Sequence, residues 1–273
     1  MMNLRNVTFL ISFAVLSSTP ATYGQKTLVP FAEMKVNGLI GGVQNGRWVA
    51  PDRAAKLMKE QTEFVLVGKS GVEEGGVSLG KLISPVPNEP CDDFYTVELE
   101  LEMDEGVAIG SNAKWKLMPR MPKELSTDNT AYKTIVANFL KGKGILKPQV
   151  KITRVMRIDL DGDGTDEVLI SATHYKQGTL PSAAKGDYSF VMLRTSRGKA
   201  VTNHLLSGEF YTKAEEFGAP NQHDISAVAD LNGDGKMEII LNGFYYEGDF
   251  TSVFEMKNGR PVEVKELGTA CGV

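Results

Sequence analysis

Between residues 94 and 103 apolar and polar positions alternate, with Val97, Leu99, Leu101 and Met103 on one face and Glu98, Glu100 and Glu102 on the other. A period of two predicts a half-buried strand, and its solvated face implies an antiparallel sheet. Over 128–141 the period changes, and Tyr132, Ile135, Val136, Phe139 and Leu140 fall on one stripe. That stripe predicts an amphipathic helix packed on a core. Thr127 or Asp128 can cap its start, Gly142 and Gly144 end it, and Pro148 blocks its resumption. A shorter helix is expected to open at Pro51 and Asp52, with Ala54, Leu57 and Met58 at helical spacing, and a strand is expected at 64–68. Residues 25–148 therefore read as a mixed α+β region.

From residue 149 onward the pattern is strand-rich and repeats. Laid on itself without gaps, the segment 152–175 matches 223–246, so that Asp159, Leu160, Gly162, Asp163, Gly164, Glu167 and Tyr175 recur as Asp230, Leu231, Gly233, Asp234, Gly235, Glu238 and Tyr246. The match resumes at Gly186, Asp187, Tyr188 and Ser189 against Gly248, Asp249, Phe250 and Thr251, with 180–185 inserted in the first copy. Each copy is expected to hold four strands, with an acidic loop joining the first to the second. The repeats span about 149–210 and 222–267.

The loop chemistry points to a hard cation. Calcium takes about six to eight oxygen ligands, and alternate residues of a tightly curled loop can converge to supply them. In the first copy Asp159, Asp161 and Asp163 stand at loop positions one, three and five, Thr165 offers its carbonyl at seven, and Glu167 stands at nine. In the second, Asp230, Asn232, Asp234, Lys236 and Glu238 take the same places. Gly164 and Gly235 supply the freedom for the turn that returns the glutamate, and Gly162 loosens the loop further. Two Ca²⁺ sites are expected, with two plain hairpin turns as the alternative. Larger oxygen cages favour Ca²⁺ over Mg²⁺, which demands near-octahedral geometry and keeps its waters.

Position twelve is Ile170 or Leu241 and the flanks are strand-like, so these are not EF-hands, which need Glu there and helices on both sides. The duplicated D-x-D/N-x-D-G-x-x-E loop between strands resembles the FG-GAP and VCBS repeats, the propeller-blade units of integrin α subunits and many exported bacterial proteins. The resemblance covers the C-terminal half only. It implies antiparallel propeller-blade-like repeats with calcium loops, in a chain that is mainly β with a few helices. A closed propeller needs at least four blades. Either the N-terminal region hides degenerate blades or two units pack on an unrelated part, and the 128–141 helix favours the second.

Composition narrows the function classes. With 42% hydrophobic and 23% charged residues the chain is an ordinary globular sequence, and a net charge of −4 gives no basic field for nucleic acid. Arg5 followed by an apolar run from Val7 to Leu16 and small residues before Gly24 predicts a secretory leader over 1–24, too short to span a bilayer. The mature chain is then expected to be secreted or periplasmic, without an integral membrane span, and monomeric. Its only cysteines, Cys91 and Cys271, are expected to pair in an oxidising compartment, with free thiols as the alternative. No nucleophile elbow, zinc-protease helix or phosphate loop occurs. The expected role is that of a calcium-stiffened scaffold acting on a protein or glycan, not an enzyme. The alternative is a metal-dependent hydrolase using His174 or His223, which lie near the loops in sequence. Trp48 and Trp115 are candidate exposed anchors.

Overall fold

The computed structural model describes residues 26–68, 71–87, 90–101, 104–178 and 180–272. The expected leader and Met103 lie outside the described residues. Within them the protein is mainly β, with two helices, and all pairings between named strands are antiparallel.

The first strands are Val29–Glu33 (β1), Gly38–Gln44 (β2) and Arg47–Val49 (β3), followed by the short helix Pro51–Leu57 (α1). Gln61–Gly68 (β4) and Gly71–Ile83 (β5) form a hairpin, and Thr96–Leu99 (β6) and Val107–Gly110 (β7) follow. They pair in the order β1-β7-β4-β5-β6-β2, and β2 pairs back onto β1, closing a six-stranded barrel that carries β3 on β2. Closure leaves no free edge among the six. Ala32, Leu39, Phe64, Leu66, Val97 and Ala108 form a buried cluster with Ala54 and Ala55 of α1. The alternation at 94–103 holds for Val97 and Leu99, but the ladder ends there. Leu101 is 46% exposed, with its amide held by the Ser78 hydroxyl at 3.0 Å.

Lys123–Glu124 (β8) precedes the helix Thr130–Gly142 (α2). Asn129, not Thr127 or Asp128, caps α2 by accepting the Ala131 amide at 2.9 Å, while Asp128 pairs with Lys133. The stripe read from the sequence faces the core. Val136 and Leu140 are fully buried, and the Phe139 ring lies 5.0 Å from that of Phe190.

Ile152–Ile158 (β9), Glu167–His174 (β10), Tyr188–Arg197 (β11) and Ala200–Phe210 (β12) form one meander, with β8 added beside β9. Gln222–Ala229 (β13), Glu238–Tyr245 (β14), Gly248–Lys257 (β15) and Arg260–Gly272 (β16) form a second, four-stranded one. In both, the acidic loop joins the first and second of these strands.

Polar side chains and a shared core hold the three sheets together. Arg154 of β9 donates to Glu124 of β8 at 2.6 Å and to the Ile225 carbonyl of β13 at 3.0 Å. Glu33 of β1, fully buried, accepts from Ser226 at 2.7 Å and from Asn242 at 3.3 Å, both in the second meander. A buried carboxylate is tolerated only with such donors around it. One hydrophobic cluster runs through Phe31 and Ile109 of the barrel, Ile158 and Leu169 of the first meander, and Ile225 and Leu241 of the second. The Cys91–Cys271 disulfide ties the β5–β6 connection of the barrel to β16. No helix among the described residues is long and apolar enough to cross a membrane.

Candidate metal centre

Each acidic loop is anchored by its second residue. Leu160 and Leu231 are fully buried and belong to the core cluster shared by the three sheets. Burying a leucine contributes about 1.5–3 kcal/mol, which fixes the backbone that carries the acidic side chains. Their amides donate to the glutamates at position nine: Leu160 to Glu167 Oε2 at 3.0 Å and Leu231 to Glu238 Oε2 at 2.8 Å.

Three further hydrogen bonds repeat atom for atom. Asp159 accepts the Gly162 and Gly164 amides at 2.7 and 3.1 Å, and Asp230 accepts those of Gly233 and Gly235 at 2.7 and 2.9 Å. Asp163 accepts from Thr165 at 2.7 Å, and Asp234 from Lys236 at 2.8 Å. Gly162, Gly164, Gly233 and Gly235 have φ of 77°, 86°, 77° and 82°. Glycine is thus required at the fourth position as firmly as at the sixth, where the sequence placed the turn.

In the first loop, ligand oxygens of Asp159, Asp161 and Glu167 all lie within 4.8 Å of one another. Asp161 Oδ1 is buried without a partner. Asp163 is exposed and is not one of the three. In the second loop the position-three residue, Asn232, has its side-chain oxygen occupied by the Asp234 amide at 2.8 Å. There the unpartnered atom is Glu238 Oε1, on a residue only 1% exposed.

The electrostatics follow burial. Desolvation lifts the Glu167 carboxyl to about 7, helped by Asp161, Asp163 and Asp159 and opposed by the Leu160 amide. Burial lifts Asp230 to about 6 against the Gly233 and Gly235 amides. Glu238 is driven well above its ordinary value, first by burial and then by Asp234, Asp230 and Glu255. Clustered carboxylates out of water are stable together only when protonated or neutralised by a cation.

Two side chains that the sequence reading did not connect to the site lie against it. Trp115 stacks over Gly233, where an added Cβ would meet its ring at 2.9 Å, and its Nε1 donates to the Asp230 carbonyl at 2.8 Å. It is a partly buried member of the core, not an exposed anchor, and Trp48 packs on the same core. Arg120 spans both loops, donating to the carbonyls of Asp159, of Leu160 at 2.9 Å and of Gly235 at 2.8 Å. Nothing in their spacing marks them, because the segment that carries them is neither periodic nor repeated.

His174 and His223 are not beside the loops. Each sits at the opposite end of its strand, His174 lying seven positions beyond Glu167, roughly 23 Å at the usual strand rise. His223 is buried against Phe250, its Nδ1 paired with the Ser207 hydroxyl at 2.9 Å.

The chain matches no family model, no curated protein and no solved structure.

Proposed function

We propose that the two loops bind Ca²⁺ and that the protein is a calcium-stiffened β scaffold acting outside the cytoplasm on a protein or glycan partner. The observation that carries this reading is the pair of unpartnered, buried carboxylate oxygens, Asp161 Oδ1 and Glu238 Oε1, each inside a duplicated frame of acidic side chains. A hard cation would satisfy both oxygens and relieve the desolvation that raises Glu167, Asp230 and Glu238. Asp159, Asp161, Asp163 and the Thr165 carbonyl with Glu167 would hold one ion. Asp230, Asn232, Asp234 and the Lys236 carbonyl with Glu238 would hold the other. The four-stranded meanders support reading each unit as propeller-blade-like, here packed on a barrel in place of further blades. The disulfide supports an oxidising compartment.

Calorimetric titration with Ca²⁺ and with Mg²⁺, and melting in calcium against chelator, test the proposal. Two calcium sites are expected, with Mg²⁺ weaker at each. Free calcium at about a hundredfold over its dissociation constant adds roughly 2.7 kcal/mol per site. Asp159→Ala with Asp163→Ala should remove one site, and Asp230→Ala with Asp234→Ala the other. Absence of calcium heat, with a melting temperature indifferent to chelator, would leave the loops as plain turns.

A further inference from the structure

The two loops are joined to each other by their own main chains. The Met237 amide, one residue before the ligand Glu238, donates to the Leu160 carbonyl at 2.8 Å. The amide of that same Leu160 donates to Glu167 Oε2. A path of two hydrogen bonds through Leu160 and Met237 therefore links the position-nine carboxylate of one loop to that of the other. Arg120 reinforces it, since one nitrogen of its guanidinium serves both the Leu160 and the Gly235 carbonyls. Gly235 in turn gives its amide to Asp230.

We infer that the two loops form one coupled unit in which filling either raises the calcium affinity of the other, with Arg120 as the positioning residue. The inference rests on the calcium reading above. An ion on Asp159, Asp161 and Glu167 fixes the Leu160 peptide, and the fixed Leu160 carbonyl holds Met237 and hence Glu238 in place. The second ion then meets a loop already ordered, and ordering already done is affinity gained. Charge acts in the opposite direction, because an ion in one acidic loop weakens its attraction for a cation in the neighbouring one. That opposing effect is screened by salt, whereas the hydrogen-bonded path is not.

Four proteins decide it by calorimetry at low and high salt: wild type, Asp230→Asn with Asp234→Asn, Asp159→Asn with Asp163→Asn, and Arg120→Ala. Disabling either loop should lower the affinity of the intact one about fivefold or more, within the usual range for coupled sites. The wild type should show steeper than independent binding, more so as salt rises. In Arg120→Ala both sites should persist with the steepness reduced. Independent sites in wild type, with each single-loop protein keeping full affinity, overturn the inference and leave the calcium reading standing. No calcium binding at all overturns the calcium reading first. Because Arg120→Ala could fold poorly, amide hydrogen exchange supplies a second measurement. In the protein with the second loop disabled, calcium in the first loop should slow exchange at Met237, and unchanged exchange there overturns the coupling.

Discussion

The two acidic loops share a hydrogen-bond frame and differ in what surrounds it. The first is open: Asp161 is half-buried, Asp163 is exposed, and Arg120 is the side chain over Gly162. The second is enclosed: Asp230 is 2% exposed, Glu238 1%, and the Trp115 ring lies over Gly233. Of the four acidic side chains in the first loop only Glu167 is buried, whereas in the second, with three and an amide, both Asp230 and Glu238 are. The frame is thus a property of the repeated sequence, while burial comes from the unrepeated segment that joins the barrel to α2. That separation tells which changes should affect both loops and which only one.

The largest contrast is expected in pH dependence, at the start of each copy. His223 occupies the place that Ile152 holds in the first meander, and burial pushes its imidazole from the ordinary 6.5 to about 4, against a raising influence from Glu209. The folded protein thus carries the ring neutral where the unfolded chain takes up a proton. Its contribution is intact above pH 6.5 and is lost as pH falls from 6.5 toward 4. Each unit of displacement corresponds to about 1.4 kcal/mol. Denaturant unfolding across that window in chelator should show wild type losing stability relative to His223→Gln, and parallel profiles would remove the argument.

Trp115→Ala comes next, at about 3 kcal/mol, the low end for tryptophan truncation because the ring is only partly buried. It should weaken calcium binding in the second loop more than in the first, as judged by titration of each single-loop protein. The glycines follow. Alanine at any of the four left-handed positions should cost about 1–2 kcal/mol of backbone strain. Gly233→Ala should exceed Gly235→Ala, because its Cβ meets Trp115 where that of Gly235 meets nothing. Equal costs at the two would mean that the ring yields freely. Smallest is the exchange of position three: Asn232→Asp should tighten the second site, and Asp161→Asn loosen the first, each by about tenfold, or 1.4 kcal/mol.

What the sequence made legible was whatever repeats or alternates. The helix stripe from Tyr132 to Leu140, the strands flanking both loops and the acidic loops between them each follow a local period or repeat, and local periods fix which face is buried. Barrel closure was not legible, because it depends on the pairing of β1 with β7 and of β2 with β6, strands far apart in the chain whose contacts no periodicity encodes. Leu160 and Leu231 were visible as repeated residues, but their task of holding the loop against the core appears only when three sheets meet. For the same reason nothing in the sequence marks Arg120, and Trp115 reads there as an exposed anchor, since each is recognised by what it touches and not by what precedes it in the chain. His174 and His223 misled because nearness along a strand is distance in space.

The Cys91–Cys271 bond carries a consequence of a different kind. It closes 180 residues of sequence separation into a covalent ring that holds β6, β7, α2, both meanders and both acidic loops. A protease that cuts one peptide bond in that ring opens it but releases no fragment, and the cut ends stay tethered beside the strands they came from. The exposed connection around Phe217, 86% exposed and with φ of +58°, lies within this protected circuit. A molecule so closed survives a first nick as a single covalent particle, and it takes reduction or a second cut to turn the nick into a break.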